Sequence, residues 1–353
     1  KTYTALVIPQ NMSGRKFIAV SLMDGNTYYY TPQSTDADLK SGTQYTYNIT
    51  MKYGYLEVVT VKTGSTWGDG GTTDPVESKI PVKPFTADDL KIGDYYYSDG
   101  TTSDGGYRKY PNGTTTILNI EPVLTNPVTG DERTCIGIVY WVGDPTNPLR
   151  GRTEQNLQGD KTLANDHSGC THGLVVSLDE ESCDWQASHT SVQDWLNSNH
   201  SGKFLSVQSE TDASDPLNNI QGYNNTKAIE AFNASSDNSG SQVRVVQEVV
   251  EYRKKVLAPT TSSGWYVPSE KELTLLCGTD VDDIYAKNSG GTANRDLINS
   301  KLKLIGATTL SSSFYWSSTE CSGYTAFRVT FYSGGVDAFY KDKSYSLRFS
   351  FAF

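Results

Sequence analysis

Over the first 67 residues apolar and polar positions alternate. Ile18, Val20 and Leu22 share one face of residues 17–23, and Tyr45, Tyr47, Ile49 and Met51 alternate with polar neighbours. Residues 56–61 form a further apolar run, and Leu6, Val7 and Ile8 predict a strand over residues 2–9. A period of two sends successive side chains to opposite faces of an extended chain. With Asp24-Gly25-Asn26 and Ser41-Gly42 as turn signals, the pattern predicts antiparallel β-structure. Gly68-Asp69-Gly70-Gly71-Thr72-Thr73-Asp74-Pro75, followed by Pro81 and Pro84, then predicts a domain boundary.

Beyond residue 85 the texture changes. Strand-like runs at 94–98, 135–142 and 173–178 are separated by long polar stretches. Val192, Trp195 and Leu196 fall at helical spacing within residues 191–197, and Ile220, Ile229 and Phe232 mark a longer helix over 219–232. Ser269 followed three residues later by Glu272 is a capping-box pattern, with Leu273, Leu275 and Leu276 as the apolar face behind it. The chain returns to strands at 314–316, 326–332 and 345–353. Helices placed between early and late strands predict an α+β fold rather than a parallel doubly wound sheet. No fixed-period repeat is present, which argues against a solenoid or propeller.

Composition narrows the classes. At 353 residues the chain is long enough for about two domains. Its 30 Lys and Arg against 40 Asp and Glu give a net charge of −10. Nucleic-acid partners are not expected, because phosphate affinity depends on Lys and Arg. The 23 Tyr and 6 Trp argue against disorder, and no run approaches the ~20 apolar residues that span a bilayer. The chain opens on Lys1 with no charged-then-apolar leader, so it is expected to be processed or cut from something longer. Cys135, Cys170, Cys183, Cys277 and Cys321 are odd in number and contain no Cys-x-x-Cys pair.

Two resemblances follow from particular phrases. Leu6-Val7-Ile8-Pro9-Gln10, Gly25-Asn26-Thr27-Tyr28-Tyr29-Tyr30, residues 39–47, Ile49-Thr50 and Trp67 resemble the C-terminal part of a fimbrillin-like domain, the β-sandwich pilin of Bacteroidales surface fimbriae. Residues 93–100, Cys135-Ile136-Gly137-Ile138-Val139, His172-Gly173-Leu174-Val175-Val176, Gly264-Trp265-Tyr266-Val267-Pro268-Ser269 and Tyr315-Trp316-Ser317-Ser318-Thr319-Glu320 look like the Fibrobacter major paralogous and DUF1566 type of domain. That family is similar to the C-type lectin fold. The resemblances imply a β-sandwich-type pilin portion over 1–70, a linker over 71–84 and a C-type lectin-like domain over 85–353.

Together they imply a non-enzymatic pilus tip adhesin at the cell surface, on a fimbria or the outer membrane. Its expected partners are shaft pilins, joined by donor-strand addition, and a host, bacterial or dietary glycan or protein. Residues 344–353 read as the last strand of the lectin-like domain, which implies a subunit that accepts a strand without donating one. Two alternatives stand beside this: an oxidase of the formylglycine-generating type on the same fold, and a secreted binding protein with no filament role.

No catalytic residue, cofactor or metal is expected. Trp316-Ser317-Ser318 stands where sugar-binding C-type lectins carry Trp-Asn-Asp, and no Glu-Pro-Asn loop precedes it. Asp280, Asp282 and Asp283 offer oxygens without a recognised calcium loop. Asp166, His167, Cys170 and His172 are read as a polar loop, with zinc as the alternative. Trp265 and Trp316 are expected in the core. Candidate ligand contacts are Glu320, Tyr324, Tyr332, Asp337, Phe339, Tyr340 and Lys341, aromatics beside charges in a Gly- and Ser-rich setting; ordinary edge-strand surface is the competing reading.

Overall fold

A computed structural model describes residues 5, 7–21, 27–32, 37–41, 43–52, 55–63, 76–79, 90–103, 107–109, 115–117, 123–125, 132–148, 159–209, 219–280, 284 and 290–353. The chain divides into two compact units. The first is Lys1–Phe85 with Gly106–Ile120, and the second is Thr86–Gly105 with Glu121–Phe353.

In the first unit β1 (Gln10–Asn11) pairs with β4 (Asp38–Leu39), and β2 (Ile18–Ser21) with β3 (Thr27–Tyr30). Strands β5 (Gln44–Lys52), β6 (Tyr55–Thr63) and β7 (Val76–Lys79) form an antiparallel sheet. Tyr30 and Val58 are fully buried, with Phe17, Ile18, Val20 and Tyr47 packed around them. The predicted alternation thus produces its strands, and Tyr47 lies edge-on to Phe17 at 5.5 Å. Strand β7 occupies part of the stretch expected as linker. The strand expected over residues 2–9 is not found among its described residues, and the first pairing begins at Gln10. Val7 and Ile8 are 50% and 78% exposed, and Pro9 beside them offers no N–H to a ladder. β10 (Tyr107–Lys109) and β11 (Thr115–Ile117) form a separate hairpin.

The second unit mixes helices with two sheets. One sheet runs β20 (Ser350–Ala352), β14 (Gly173–Ser177), β13 (Glu132–Val142), β8 (Tyr95–Tyr97), β9 (Thr102–Ser103), with β12 (Val123–Thr125) also on β13. The other runs β15 (Glu181–Asp184), β19 (Ser344–Leu347), β16 (Phe314–Glu320), β17 (Thr325–Thr330), β18 (Gly335–Tyr340). Among the described strand pairs of this unit β16 and β19 run parallel and the others antiparallel, and Gln208 adds a single parallel bridge to Glu320. Residues 345–353, predicted as one strand, are two. The chain leaves the second sheet after Leu347 and joins the first at Ser350. Buried Arg348 marks the crossing, donating to the Ser177 carbonyl at 3.0 Å and the Thr308 carbonyl at 2.6 Å.

Six helices accompany the sheets among the described residues: α1 (Lys161–Asp166), α2 (Val192–Asn199), α3 (Gly222–Ala234), α4 (Arg244–Lys255), α5 (Glu270–Cys277) and α6 (Ala293–Leu304). The capping box at Ser269 and Glu272 forms as predicted. Helix α4, not predicted, buries Val245, Val246, Val249 and Tyr252 on one stripe. Its β-branched residues favour strands by propensity, and packing on the core overrides that preference.

Three tryptophans sit at the centre of the unit. Trp185, Trp265 and Trp316 are fully buried, and each N–H reaches a backbone carbonyl, of Ser317 at 2.9 Å, Val256 at 3.0 Å and Lys343 at 3.2 Å. Buried indoles require such a partner. The core reading of Trp265 and Trp316 therefore agrees with their surroundings.

Two carboxylates hold α3 from a distance. Its N-cap residue, Gln221, makes no side-chain cap. Instead the Gly222 N–H donates to Glu272 Oε2 at 2.9 Å and the Asn224 N–H to Asp160 Oδ2 at 2.8 Å. Helix N-termini leave such N–H groups orphaned and favour negative charge. A Cβ at Gly222 would lie 2.2 Å from Glu272 Oε2, so glycine is what lets the carboxylate approach. Burial raises Glu272 to about 7 and Asp160 to about 6.

Candidate functional site

The candidate residues gather on the β17–β18 hairpin and at the end of β16. Register runs from Thr325 opposite Tyr340 to Thr330 opposite Gly335. Tyr324 and Tyr340 therefore stand at one end, joined where the Lys341 N–H donates to the Tyr324 carbonyl at 3.1 Å. Tyr332 belongs to the turn at the other end, about 17 Å away along the strands. The structure thus separates Tyr332 from the two other tyrosines.

Glu320 and Lys341, expected at the surface, are in the interior. Both side chains are 0% exposed, and they pair at 2.6 Å. Glu320 accepts from the N–H groups of Val192 and Gln193, each at 2.9 Å, and so caps α2 from the end of β16. Lys341 Nζ also donates to the Thr190 carbonyl at 3.2 Å and Gln186 Oε1 at 3.4 Å, and it lies 4.5 Å from the centre of the Trp185 ring. Three acceptors match the three protons of an ammonium. Burial pulls the Lys341 pKa down, against the carboxylate of Glu320, which raises it. The two charges are used on each other and on helix α2, and that corrects their reading as exposed contacts.

The pair has a positional consequence. It ties residues 186–193 to the end of the hairpin, and His189 in that segment is exposed. The His189 and Tyr324 rings lie 5.1 Å apart. Gly323 sits close under this turn, with its Cβ direction 3.5 Å from the His189 carbonyl oxygen. Tyr324 is 62% and Tyr340 56% exposed. Three rings with polar edges are therefore presented at one end of the hairpin, above a buried ion pair.

The remaining candidates serve a neighbouring cluster. Asp337 is exposed but grips buried Arg328 with both oxygens, at 2.8 and 2.9 Å. Half-buried Phe339 lies 3.8 Å from that guanidinium, as does Phe314, and Tyr345 lies at 4.5 Å. Arginine stacked between rings and gripped by a carboxylate is a packed support for the hairpin. His189 was not among the predicted site residues. It lies 135 residues before Tyr324, and only the fold brings them together.

Other chemistry-bearing residues take separate partners. His167 is edge-on to Tyr223 at 5.4 Å and His172 stacks near Phe353 at 6.3 Å. Cys170 is buried, with Sγ 3.6 Å from the Thr261 carbonyl. Among the described residues no three His, Cys, Asp or Glu side chains converge as a metal site. Asp280 pairs with buried Lys271 at 2.8 Å, while Asp282 and Asp283 lie outside the described residues. All five cysteines are free, and burial lifts the Cys277 thiol to about 12. Ser317 donates to the Phe327 carbonyl at 2.8 Å, and Ser318 and Thr319 accept from Asn225. No described helix is long and apolar enough to cross a membrane.

Comparison with known proteins gives first a class. A family model described as fimbrillin-like matches residues 1–67. The likeness then extends further along the chain. It is 29% identical over 284 residues to the Bacteroides ovatus protein named "Putative fimbrium tip subunit Fim1C", an alignment covering 75% of this chain and 46% of that protein. A crystal structure of a fimbrial protein from Bacteroides ovatus matches with a TM-score of 0.51 and 26% identity, covering 86% of this chain and 58% of the other. The chain spans about half the length of these relatives.

Proposed function

We propose that this chain belongs to a non-enzymatic fimbrial tip subunit displayed at the cell surface. In this reading the second unit is a C-type lectin-like domain that binds a glycan or protein ligand. The observation that carries it is the extent of the likeness to the fimbrial relatives, 75% of the chain in one case and 86% in the other. Those spans exceed the 67 residues matched by the fimbrillin-like model, so the larger unit shares in the resemblance.

Shaft pilins would join the first unit by donor-strand addition. The ligand would meet Tyr324, Tyr340 and His189, which offer flat ring faces and polar edges at one end of the β17–β18 hairpin. Glu320 and Lys341 act beneath as positioning residues. Immunogold labelling of intact fimbriae against this chain tests the placement. Gold confined to filament ends is expected, and gold spread along the shafts would overturn it.

A further inference from the structure

A recess lies at the far end of β13, and none of its described lining residues belongs to the ring cluster around Tyr324. It is a cleft of about 310 Å³ whose walls include Trp141, Gly143, Asp144, Asn147 and Thr171. That volume is at the small end of ligand pockets. We propose that this cleft binds a neutral pyranose sugar stacked on Trp141.

The walls are built rather than incidental. The Gly143 N–H donates to the His172 carbonyl at 3.0 Å, anchoring the end of β13 to the segment before β14. Asp144 Oδ1 then accepts from the Thr146 N–H at 2.9 Å, the Thr146 hydroxyl at 2.6 Å and the Asn147 N–H at 3.2 Å. An aspartate closing its own turn in this way holds the loop in one conformation. Further along, the Asp160 N–H donates to the Pro145 carbonyl at 3.0 Å.

The turn uses one carboxylate oxygen and leaves the other. Asp144 Oδ2 and the Asn147 side-chain amide have no protein partner among the described residues. Trp141 differs from its buried counterparts in the same respect. Trp185, Trp265 and Trp316 all donate to backbone carbonyls, whereas the N–H of half-buried Trp141 has no partner among the described residues. Its six-membered ring packs across Gly143, where a Cβ would stand 2.6 Å from the nearest ring carbon. Glycine is thus what allows the indole to lie against the loop beside the cleft.

The chemistry selects the ligand class. An indole offers a flat apolar face to the C–H groups of a sugar ring. A carboxylate oxygen accepts from hydroxyls, an amide both donates and accepts, and the exposed Thr171 hydroxyl does both as well. Among the described residues of the lining Asp144 is the charged side chain, and its negative charge disfavours a phosphate or carboxylate.

Saturation-transfer NMR on the full 353-residue chain tests the proposal, with glucose, galactose, mannose and N-acetylglucosamine offered one at a time. At least one sugar should show transfer to its ring protons. The signal should fall at least fivefold in Trp141→Ala and in Asp144→Asn, which keeps the Oδ1 turn. Gly143→Ala should weaken it by displacing the indole, and Tyr324→Ala should leave it unchanged. If Trp141→Ala lowers the melting temperature, Trp141→Phe replaces it, with a fall of about threefold expected from loss of the indole donor. Absence of transfer with all four sugars, or transfer undiminished in the Trp141 variants, would overturn the cleft. Loss in Tyr324→Ala alone would move sugar binding to the hairpin end.

Discussion

The two units are held together differently. In the first, the described core centres on Tyr30 and Val58 with four partly buried neighbours, and its strands follow from alternation. In the second, a large aromatic core surrounds fully buried charges, among them Glu320 with Lys341, Glu272 and Arg348. Apolar periodicity is enough to specify strands. Placing loops and helix ends on a particular surface takes long-range polar contacts, and these are what hold the exposed rings.

The sharpest way to break that contrast is Lys341→Ala. It leaves the Glu320 carboxylate buried without its cation, and removing one partner of a buried pair costs about 3–5 kcal/mol. Calorimetry should show a large loss confined to the transition of the second unit. A cost under about 1 kcal/mol would mean that the pair is not a pin.

A pH titration is expected to have the next largest effect. Glu272 and Asp160, raised by burial to about 7 and about 6, bind more protons in the folded second unit than in the unfolded chain between about pH 4 and 7. Their contribution to stability is therefore complete below that window and is lost as pH rises through 6 and 7. The Glu272 part is roughly 3 kcal/mol at most. Glu272→Gln should flatten the slope of melting temperature against pH, and an unchanged slope would remove the assignment.

Gly222→Ala follows, at roughly 2 kcal/mol, because its Cβ would collide with the carboxylate that caps α3. Denaturant unfolding measures it, and a neutral result would show that the cap can relax. The smallest stability effect is expected of Tyr324→Ala, within about 0.5 kcal/mol, as for other surface changes. A larger loss would place that ring in the fold rather than in recognition.

Much of this architecture was legible beforehand. Alternation at Tyr45, Tyr47, Ile49 and Met51 marked β5, the Ser269–Glu272 pattern marked the start of α5, and the indoles of Trp265 and Trp316 marked the core. Other features were hidden for physical reasons. Helix α4 carries valines that suit a strand equally well. The crossing between sheets at Arg348 interrupts no apolar pattern, because residues on both sides are buried. At the candidate site the exposed tyrosines could be read from their Gly- and Ser-rich setting. Glu320 and Lys341 could not, since lone charges are usually at the surface and the partners of their side chains are 21 residues or more away. His189 was out of reach for the same reason.

The proposed recognition surface is a ring cluster held by buried charges. Binding of the full chain to a glycan array and to host and bacterial cells, compared with Tyr324→Ala/Tyr340→Ala, tests it most directly. At least tenfold weaker binding by the double variant, with an unchanged melting temperature, is expected. Equal binding by the two proteins would contradict it.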